Sequence, residues 1–451
     1  MTPLDGAPIL TAEAMRAVEE AHGDLPALME RAGRAIAAQV RRLAGREPVL
    51  ILCGPGNNGG DGYVAATALA EAGHPVRIAA LAEPATDLAR AARARWPGPV
   101  ETLADAAPAR ILVDALFGTG LSRPLATKTM TSWHRLAGAA SLHVAVDLPS
   151  GIDGDTGTIL SPSPAAHVTL ALGAAKPAHL LQPAARFCGS VRLLGIGLIA
   201  SSSVTVIARP SLPEPGPDSH KFSRGMVAVV GGAMAGAGEL AAVSAMRAGA
   251  GYVVHLGDGS GPPHALVRKP WCDDALADRR IGAVVIGPGL GRDANARTKL
   301  DAALDTRTPL VVDGDALHLV DLDRLAARAA PAILTPHAGE FAALFGRDDG
   351  SKIDRTLAAA ARAGTVVVHK GPDTVIASPD GRVVVAGEAS DWLSTAGSGD
   401  VLAGATGAML ACLGDPFAAA SAAVWLHREA ARVCGRSFIA DDLAAALSRV
   451  R

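Results

Sequence analysis

The chain has 451 residues, about three times the ~150 residues of an average domain, so we expect two or three domains. The 42 basic and 44 acidic residues leave a formal net charge of -2, which argues against broad nucleic-acid binding because that needs a strongly basic surface. Hydrophobic residues make up 49% of the chain, yet no run reaches the ~18 apolar residues that a membrane-spanning helix needs.

The cysteines and the first residues favour a cytoplasmic protein. Five widely spaced cysteines are an odd number without paired metal-binding spacing, so we expect a reduced, zinc-free chain. The first 16 residues lack a basic start followed by an apolar core, and we expect no secretory signal. We therefore predict a cytoplasmic protein. We also expect a homo-oligomer that acts on small molecules and has no nucleic-acid or membrane partner.

The first half alternates alanine-rich helical stretches with short β-branched runs. Strands alternating with helices predict an α/β domain with a parallel sheet covered on both faces. Such a sheet binds its ligands at the carboxyl ends of the strands. The pattern predicts helices over 11–21, 25–43 and 62–72, and strands over 48–53, 76–81, 110–113, 143–146 and 168–172.

A boundary is predicted between residues 198 and 219, where a serine run is followed by a proline-rich stretch typical of a semi-rigid linker. We expect domains over 1–210 and 218–451. The second half restarts the alternation and predicts a second α/β domain. Its predicted strands span 227–230, 283–286, 310–312, 332–334, 365–369 and 374–377.

A glycine-rich segment, Gly-Pro-Gly-Asn-Asn-Gly-Gly-Asp-Gly over 54–62, directly follows the predicted strand 48–53. Glycines let backbone amides approach a phosphate, and a following helix N-terminus favours an anion. Gly54, Gly56 and Gly59 also match the GxGxxG pattern, with Glu83 placed as a ribose-binding acid. That match is weak by itself, and a Rossmann dehydrogenase stays an alternative.

Polar residues end two further predicted strands, where Asp114 follows one and Asp147 and Ser150 follow the other. A single carboxylate at a strand end usually caps a helix or tethers a loop. Three strand ends at one sheet edge favour a binding site instead. The amide oxygen of Asn58, the carboxylate of Asp114 and the hydroxyl of Ser150 would suit a hard cation, whose identity these ligand types leave open.

Four segments of the first half, 28–33, 56–62, 114–120 and 147–151, resemble the NAD(P)H-hydrate epimerase domain over roughly residues 9–200, and Lys176-Pro177 fits as well. The resemblance implies a Rossmann-like three-layer sandwich. It implies potassium at Asn58, Asp114 and Ser150, and acid/base work by Asp147. The implied contacts to the damaged nicotinamide nucleotide are Asn57, Asn58, Gly59, Gly60, Asp61, Gly118, Thr119, Gly120, Leu121, Ser122, Arg123, Pro124 and Asp147.

The segment Ser-Thr-Ala-Gly-Ser-Gly-Asp-Val-Leu-Ala-Gly over 394–404 is a glycine-rich turn that opens an apolar helix. Its amides could stabilise a transferring phosphoryl group, and Asp400 could take a proton from an acceptor hydroxyl. A capped helix that needs glycine for packing is the alternative. Lys370 follows a predicted strand and is one of only seven lysines, so a phosphate contact and a surface role are equally open.

Together with the segments 285–291, 334–340 and 368–374, this turn resembles the ADP-dependent NAD(P)H-hydrate dehydratase, a ribokinase-like fold, over roughly residues 218–448. The resemblance implies that Gly289, His337 and Asp400 contact the hydrated dinucleotide and that Glu340 lies near magnesium. The implied contacts to the adenine nucleotide are Lys370, Gly371, Pro372, Asp373, Thr374 and Gly399.

The resulting hypothesis is a bifunctional repair enzyme, with an isomerase domain for the R and S epimers of hydrated NADH and NADPH and a lyase domain that dehydrates the S epimer. Its expected cofactors are Mg²⁺ and K⁺, with ADP as co-substrate. An alternative is a kinase of a small hydroxylated metabolite, whose N-terminal domain binds only a nucleotide or a partner.

Overall fold

The computed structural model describes residues 4–387 and 389–451, so the first three residues of the range predicted as the first domain lie outside the described residues. The chain forms two compact units, Met1–Val206 (unit 1) and Ile207–Arg451 (unit 2). The division falls inside the proline- and serine-rich stretch. In the described part of the chain, no helix combines the length and the apolar character that crossing a membrane requires.

Unit 1 is built on one sheet in which every adjacent pair of strands is parallel. The strand order is β3-β2-β1-β4-β5-β6-β7. A further strand, β8 (Val204–Val206), follows at the end of the unit. The strands of the sheet are β1 (Val49–Cys53), β2 (Val76–Ala80), β3 (Val100–Thr102), β4 (Ile111–Ala115), β5 (Leu142–Val146), β6 (Val168–Leu172) and β7 (Ser190–Leu194).

Helices cover both faces of this sheet. Along β1, Val49 and Ile51 belong to a core with α2 and α3, while Leu50 and Leu52 belong to a core with α5. Alternate residues of a strand point to opposite faces, so a strand buried on both faces is apolar throughout. The helices are α1 (Ala12–His22), α2 (Leu25–Ala44), α3 (Asn57–Glu71), α4 (Asp87–Arg95), α5 (Thr127–Ala139) and α6 (Ala185–Cys188).

Unit 2 has a larger sheet with the order β11-β10-β9-β12-β13-β14-β15-β16-β17. Pairing is parallel from β11 to β15, and β16 and β17 are antiparallel to their neighbours. The strands are β9 (Met226–Val230), β10 (Tyr252–Leu256), β11 (Val267–Lys269), β12 (Ile281–Ile286), β13 (Leu310–Val312), β14 (Ala332–Leu334), β15 (Val366–His369), β16 (Thr374–Ala377) and β17 (Val383–Ala386).

One face of the unit 2 sheet packs on α7, α13, α14 and α15 in a core rich in alanine and valine. The buried residues of α12 lie outside that core although α12 contacts β15 and β16, so α12 covers the other face. The helices are α7 (Ala235–Arg247), α8 (Ala294–Asp305), α9 (Gly314–Leu317), α10 (Leu322–Ala326), α11 (Ala338–Phe345), α12 (Lys352–Ala363), α13 (Ser398–Leu413), α14 (Pro416–Cys434) and α15 (Ala440–Val450).

Each sheet reverses its strand order at one point. In unit 1 the chain leaves β1 toward β2 and later places β4 on the other side of β1, and in unit 2 the same holds for β10 and β12 around β9. Loops at the carboxyl ends of the two strands beside such a switch point diverge and leave a crevice for a ligand. Candidate sites are therefore expected above β1 and β4, and above β9 and β12.

The predicted α/β class with a helix-covered sheet in each half is confirmed. One local difference, at the start of α3, has a physical cause in tertiary packing. α3 begins at Asn57, five residues before its predicted start at residue 62. Glycine is a poor helix former, so the Asn-Asn-Gly-Gly sequence predicts a loop. Tertiary packing requires glycine at position 59, because a Cβ on Gly59 would lie 1.9 Å from the carbonyl oxygen of Gly54. Six described strands were not predicted from the sequence: β3, β7 and β8 in unit 1, and β10, β11 and β17 in unit 2.

Candidate active sites

The switch point of unit 1 brings together residues from α3, β4 and β5. Gly118 follows β4, and a Cβ added there would lie 3.2 Å from both Asn58 Oδ1 and Asp147 Oδ2. These two side-chain oxygens therefore flank the start of the loop over residues 118–124. The amide nitrogen Nδ2 of Asn58 is buried and has no hydrogen-bond partner among the described residues.

The carboxylate of Asp114 is fully buried at the end of β4 and is tied to Ser150. The Ser150 amide donates to Asp114 Oδ2 at 3.0 Å, and the Ser150 hydroxyl donates to Oδ1 at 2.8 Å. The Leu116 amide also donates to Oδ1, at 3.1 Å. Three donors thus hold both oxygens in place.

No lysine or arginine of the described residues pairs with Asp114. His143 Nε2 lies 3.9 Å from Asp114 Oδ2, but burial lowers the pKa of His143 and so favours the neutral imidazole. Burial also raises the pKa of Asp114. A buried carboxylate without a countercharge is costly. Asp114, with the oxygens of Ser150 and Asn58 as further ligands, could therefore hold a cation.

A buried ion pair fixes Asp147. Lys176 Nζ donates to Asp147 Oδ1 at 2.5 Å and to the Leu172 carbonyl at 2.7 Å, and the side chain of Lys176 is only 1% exposed. His179 Nε2 lies 2.6 Å from the backbone oxygen of Asp147. Asp147 also has a positive φ of 64°, a left-handed conformation that costs energy in a non-glycine residue. The contacts with Lys176 and His179 therefore hold this carboxylate in place in spite of the unfavourable backbone conformation.

Asp61 is a second buried carboxyl group near this pair. Its pKa is raised well above its usual value, first by burial and then by the charges of Asp147 and Glu19. Burial and these charges thus favour the neutral form of Asp61, whereas Asp147 has an ammonium in direct contact. Unit 1 therefore has two buried carboxyl groups in different surroundings at one sheet edge.

In unit 2, the first turn of α13 carries Asp400. The turn is entered through Gly397, whose φ of 87° is a conformation that suits glycine. The pKa of Asp400 is raised to about 7, by burial first and by the charge of Asp313 second, while Lys370 lowers it. A general base is most effective when its pKa lies near the working pH.

Lys370 and Asp313 form an ion pair beside α13. Lys370 Nζ donates to Asp313 Oδ1 at 2.7 Å and lies 4.0 Å from Glu340 Oε2. Glu340 Oε2 in turn accepts from the His337 amide at 2.8 Å, and His337 Nδ1 accepts from the Gly339 and Glu340 amides. His337 and Glu340 therefore form a reciprocal cap at the start of α11, and the charged groups after β13, β14 and β15 meet at one sheet edge.

A cavity of about 470 Å³ opens at this edge. Its wall includes Ser398, Gly399 and Leu402 from α13 and Val424 from α14. This combination of backbone donors, one ammonium and an apolar wall suits a nucleotide, with phosphates on the amides and a base on the apolar side. Of the predicted nucleotide and substrate contacts, the cavity wall contains His337, Lys370, Gly371, Pro372, Thr374 and Gly399.

Comparisons with known proteins match both units. The family model described as NAD(P)H-hydrate dehydratase matches residues 227–450, and the one described as YjeF-related protein N-terminus matches residues 26–178. A bifunctional NAD(P)H-hydrate repair enzyme of Salinibacter ruber is 35% identical, with 98% of this chain and 96% of the relative covered. Its counterpart in Thermofilum pendens is 34% identical, with 85% of this chain and 82% of the relative covered. The chain belongs to the family of bifunctional NAD(P)H-hydrate repair enzymes.

Family membership confirms the resemblance stated from the motifs. Among solved structures, an ADP/ATP-dependent NAD(P)H-hydrate dehydratase from Bacillus subtilis, co-crystallised with ATP and Mg²⁺, is 30% identical with a TM-score of 0.46. That alignment covers 53% of this chain and 93% of the Bacillus chain. The relatives that cover nearly the whole chain are bifunctional by name.

Several predicted contact residues lie outside the two centres just described or have other partners. The Thr86 hydroxyl donates to Asn57 Oδ1 at 2.6 Å, at the exposed start of α3. The carboxylate of Asp373 accepts from Lys352 Nζ at 2.7 Å, and Asp373 does not line the cavity. Gly289 and Asp400 are also absent from the cavity wall. Ser122, Arg123 and Pro124 are exposed on their loop.

Two charged residues at these centres were not predicted as site residues. Asp313 directly follows β13, so the strand-end rule that selected Asp114 could have selected it. Lys176 was noted only as part of a matching motif, and its burial could not be predicted from its neighbours in sequence. Among the described residues, no group of three or more His, Cys, Asp or Glu side chains is arranged to hold a metal ion.

Proposed function

We propose that this chain repairs hydrated NADH and NADPH. Unit 1 interconverts the R and S epimers, and unit 2 dehydrates the S epimer with ADP to give NAD(P)H, AMP and phosphate. The observation that carries the proposal is the first turn of α13, where Gly399, whose added Cβ would lie 3.5 Å from Lys370 Nζ, is followed by Asp400, a carboxyl group with a pKa of about 7. Membership of the repair family supports the choice of substrate.

In the dehydration step, Asp400 takes the proton from the ring hydroxyl while that oxygen attacks the β-phosphorus of ADP, and AMP leaves. The carbon–oxygen bond of the resulting phosphate ester then breaks: phosphate leaves while the lone pair of the ring nitrogen forms an iminium. Loss of a proton from the neighbouring ring carbon restores the dihydropyridine. The amides at the start of α13 and the Lys370 ammonium stabilise the charge on the phosphoryl oxygens. We place Gly289 and His337 against the dinucleotide and the segment 370–374 with Gly399 against the adenine nucleotide.

Magnesium would neutralise charge on the transferring phosphoryl group. Both oxygens of Glu340 already face donors, because the His337 amide lies 2.8 Å from Oε2 and His337 Nε2 lies 3.5 Å from Oε1. The carboxylate thus fits an ion that keeps most of its water, and Mg²⁺ commonly binds through few carboxylates and the substrate phosphates. We propose Glu340 as the contribution of the protein to that site.

In the epimerisation step, the hydroxyl at the hydrated ring carbon loses its proton as the bond from that carbon to the ring nitrogen breaks, which leaves an aldehyde and a protonated nitrogen. Attack of the nitrogen on the other face of the aldehyde re-forms the ring with inverted configuration, and the proton returns to the oxygen. Asp147 Oδ2, which faces the position of Gly118 while Oδ1 is held by Lys176, is our choice for that transfer. The substrate would lie along residues 57–61 and 118–124. Potassium at Asn58, Asp114 and Ser150 would supply the countercharge that buried Asp114 lacks among the described residues.

Location and assembly belong to the same proposal. All five cysteines are free, which suits a reducing compartment such as the cytoplasm. We further propose a homo-oligomer, which light scattering of the purified protein would test by comparing the measured mass with that of one chain.

The test is to incubate the purified protein with an R/S mixture of hydrated NADH, Mg²⁺, K⁺ and ADP, and to follow NADH absorbance and AMP release together. We expect conversion of both epimers with one AMP per NADH. Replacing K⁺ with Na⁺ should slow the second phase, in which the R epimer is consumed. Parallel reactions with ATP compare the two phosphoryl donors.

Absence of NADH formation with either nucleotide would overturn the proposal and favour a kinase of a small hydroxylated metabolite. That alternative predicts ADP formation from ATP with a hydroxylated acceptor other than the hydrated dinucleotide.

A further inference from the structure

Asp313 is a buried carboxylate at the centre of the unit 2 site. It is 2% exposed and follows β13 directly. Its Oδ1 accepts from Lys370 Nζ and from the Thr335 hydroxyl, each at 2.7 Å. The backbone is also fixed, because a Cβ on Gly287 would lie 1.6 Å from the Asp313 carbonyl oxygen. The position of this carboxylate is therefore set by three strand ends.

The free side of this ion pair faces the start of α13. A Cβ added to Gly399 would lie 3.5 Å from Lys370 Nζ and 4.0 Å from Asp313 Oδ2. Both charges are therefore within a few ångströms of the backbone that carries Asp400. The charged groups that act on Asp400 are Asp313, Lys370 and Asp315, and Asp315 itself pairs with Arg292 at 2.9 Å.

We propose that Asp313 is a positioning residue for the dehydration step: its Oδ1 holds the ammonium of Lys370 against the phosphoryl site, and its Oδ2 faces the first turn of α13, which carries Asp400. The inference rests on the proposed function of unit 2. It assigns a role to a residue that touches neither the substrate nor the nucleotide in that scheme.

The direction of the effect follows from the charges. Burial and the Asp313 charge raise the pKa of Asp400 to about 7, and Lys370 opposes them. Removing the Asp313 charge leaves burial as the main raising cause and leaves Lys370 without its countercharge. Both changes lower the pKa of Asp400, so the base form persists to lower pH but accepts a proton less readily.

The test is the pH dependence of dehydration by Asp313→Asn at saturating ADP, with purified S epimer as substrate. Against the wild type, we expect the acid limb of kcat/KM to move down by about 1 pH unit, the range typical for a neighbouring charge. The plateau kcat should fall, and KM for ADP should change less than kcat. Asp315→Asn is the matched control, because it removes a carboxylate two residues away that contributes less, and its acid limb should move less.

An unmoved acid limb in Asp313→Asn, or a rise confined to KM for ADP, would overturn the inference. If Asp313→Asn does not fold, Lys370→Gln gives the same test with the opposite sign. Loss of the ammonium should move the acid limb upward, and a downward or absent shift would contradict the inference. A wild-type protein that does not dehydrate the S epimer would instead refute the proposed function, so the two failures are distinguishable.

Discussion

The buried ion pair between Lys176 and Asp147 fixes the position of the candidate acid/base carboxylate in unit 1. A buried lysine and a buried aspartate share a contact of 2.5 Å, with exposed fractions of 1% and 9%. A buried ion pair is weak support for stability, since desolvation offsets most of its attraction. Removing only one partner destabilises the fold strongly, because it leaves an uncompensated charge in the interior. We therefore interpret the pair as a means of placing the Asp147 carboxylate.

Lys176→Met should lower the free energy of unfolding of unit 1 by about 3–5 kcal/mol, because Asp147 is left buried and unpaired. Hydrogen exchange of peptides from β5 and β6 in increasing urea would measure the loss. The exposed Lys128 provides the control, and Lys128→Met should stay within about 0.5 kcal/mol of the wild type.

Combining Lys176→Met with Asp147→Asn should recover most of the lost stability while epimerase activity is absent, since both charges are then gone and asparagine tolerates the positive φ of residue 147. Equal stability of Lys176→Met and Lys128→Met would contradict this account of the pair.

The sequence predicts which side chains lie close together where a structural rule relates their positions in the chain to their positions in the fold. Asp114 lies at the end of β4, and Asp147 and Ser150 follow β5. Parallel strands bring their carboxyl ends to one edge, so the proximity of these residues could be predicted. Lys176 meets Asp147 from 29 residues away and Lys370 meets Asp313 from 57 residues away. No local pattern specifies such pairs, because burial of an ammonium depends on tertiary packing.

At the scale of elements, the β1–α3 turn is held by backbone approaches that admit only glycine. A Cβ on Gly59 would lie 1.9 Å from the Gly54 carbonyl oxygen, and a Cβ on Gly54 would lie 1.8 Å from the Leu116 carbonyl oxygen. Gly56, the N-cap of α3, has nothing within 4 Å of its added Cβ. One short turn thus contains glycines that are required and one that is not.

Gly59→Ala should lower the stability of the turn by about 1–3 kcal/mol, the usual cost of overpacking, and should reduce epimerase activity. Hydrogen exchange of the first turn of α3 would report the loss. Gly56→Ala is the matched control and should keep wild-type exchange protection. Equal exchange in the two variants would show that the close approach does not constrain the turn.

The contact of α7 with α13 gives a second prediction at this scale. A Cβ on Gly404 would lie 2.0 Å from the Ala241 carbonyl oxygen, so Gly404→Ala should push the helices apart at a cost of about 1–3 kcal/mol. Because α13 carries Asp400, dehydratase activity should also fall.

The control for Gly404→Ala is Gly236→Ala in α7, where nothing lies within 4 Å of the added Cβ. This variant should be neutral or slightly more stable, since alanine is the better helix former. Thermal unfolding of the two variants would compare them, and a melting temperature of Gly404→Ala equal to that of the wild type would refute the packing argument.

Prediction of elements was accurate for several apolar runs but missed others, including the buried strand β10 (Tyr252–Leu256), and it failed for the glycine-rich start of α3. The predicted strands 168–172, 310–312 and 374–377 match β6, β13 and β16 at both ends. Their β-branched residues and flanking turns carry the signal locally. The start of α3 and the antiparallel edge of the unit 2 sheet depend on packing and pairing partners distant in sequence, which the local pattern does not contain.

At the scale of the whole molecule, each unit has its own core and its own candidate centre. Asp400→Asn should therefore abolish dehydration and leave epimerisation intact. In the converse variant, Asp147→Asn, conversion of an R/S mixture should stop near the S fraction and continue only at the spontaneous epimerisation rate. Chromatographic separation of the epimers over time would measure both. Loss of both activities in one folded variant would refute the division of labour between the units.

The switch points of the two sheets also bear on how such a protein can change over generations. Strand register is fixed by buried apolar residues, whereas the groups that would meet a ligand lie on loops and helix starts that leave the strands in diverging directions. Loop positions other than those with a close backbone approach, such as Gly54 and Gly59, can then be exchanged without re-forming the sheet. Substrate preference is thus free to drift on a constant scaffold, and the two centres can diversify at different rates within a single gene.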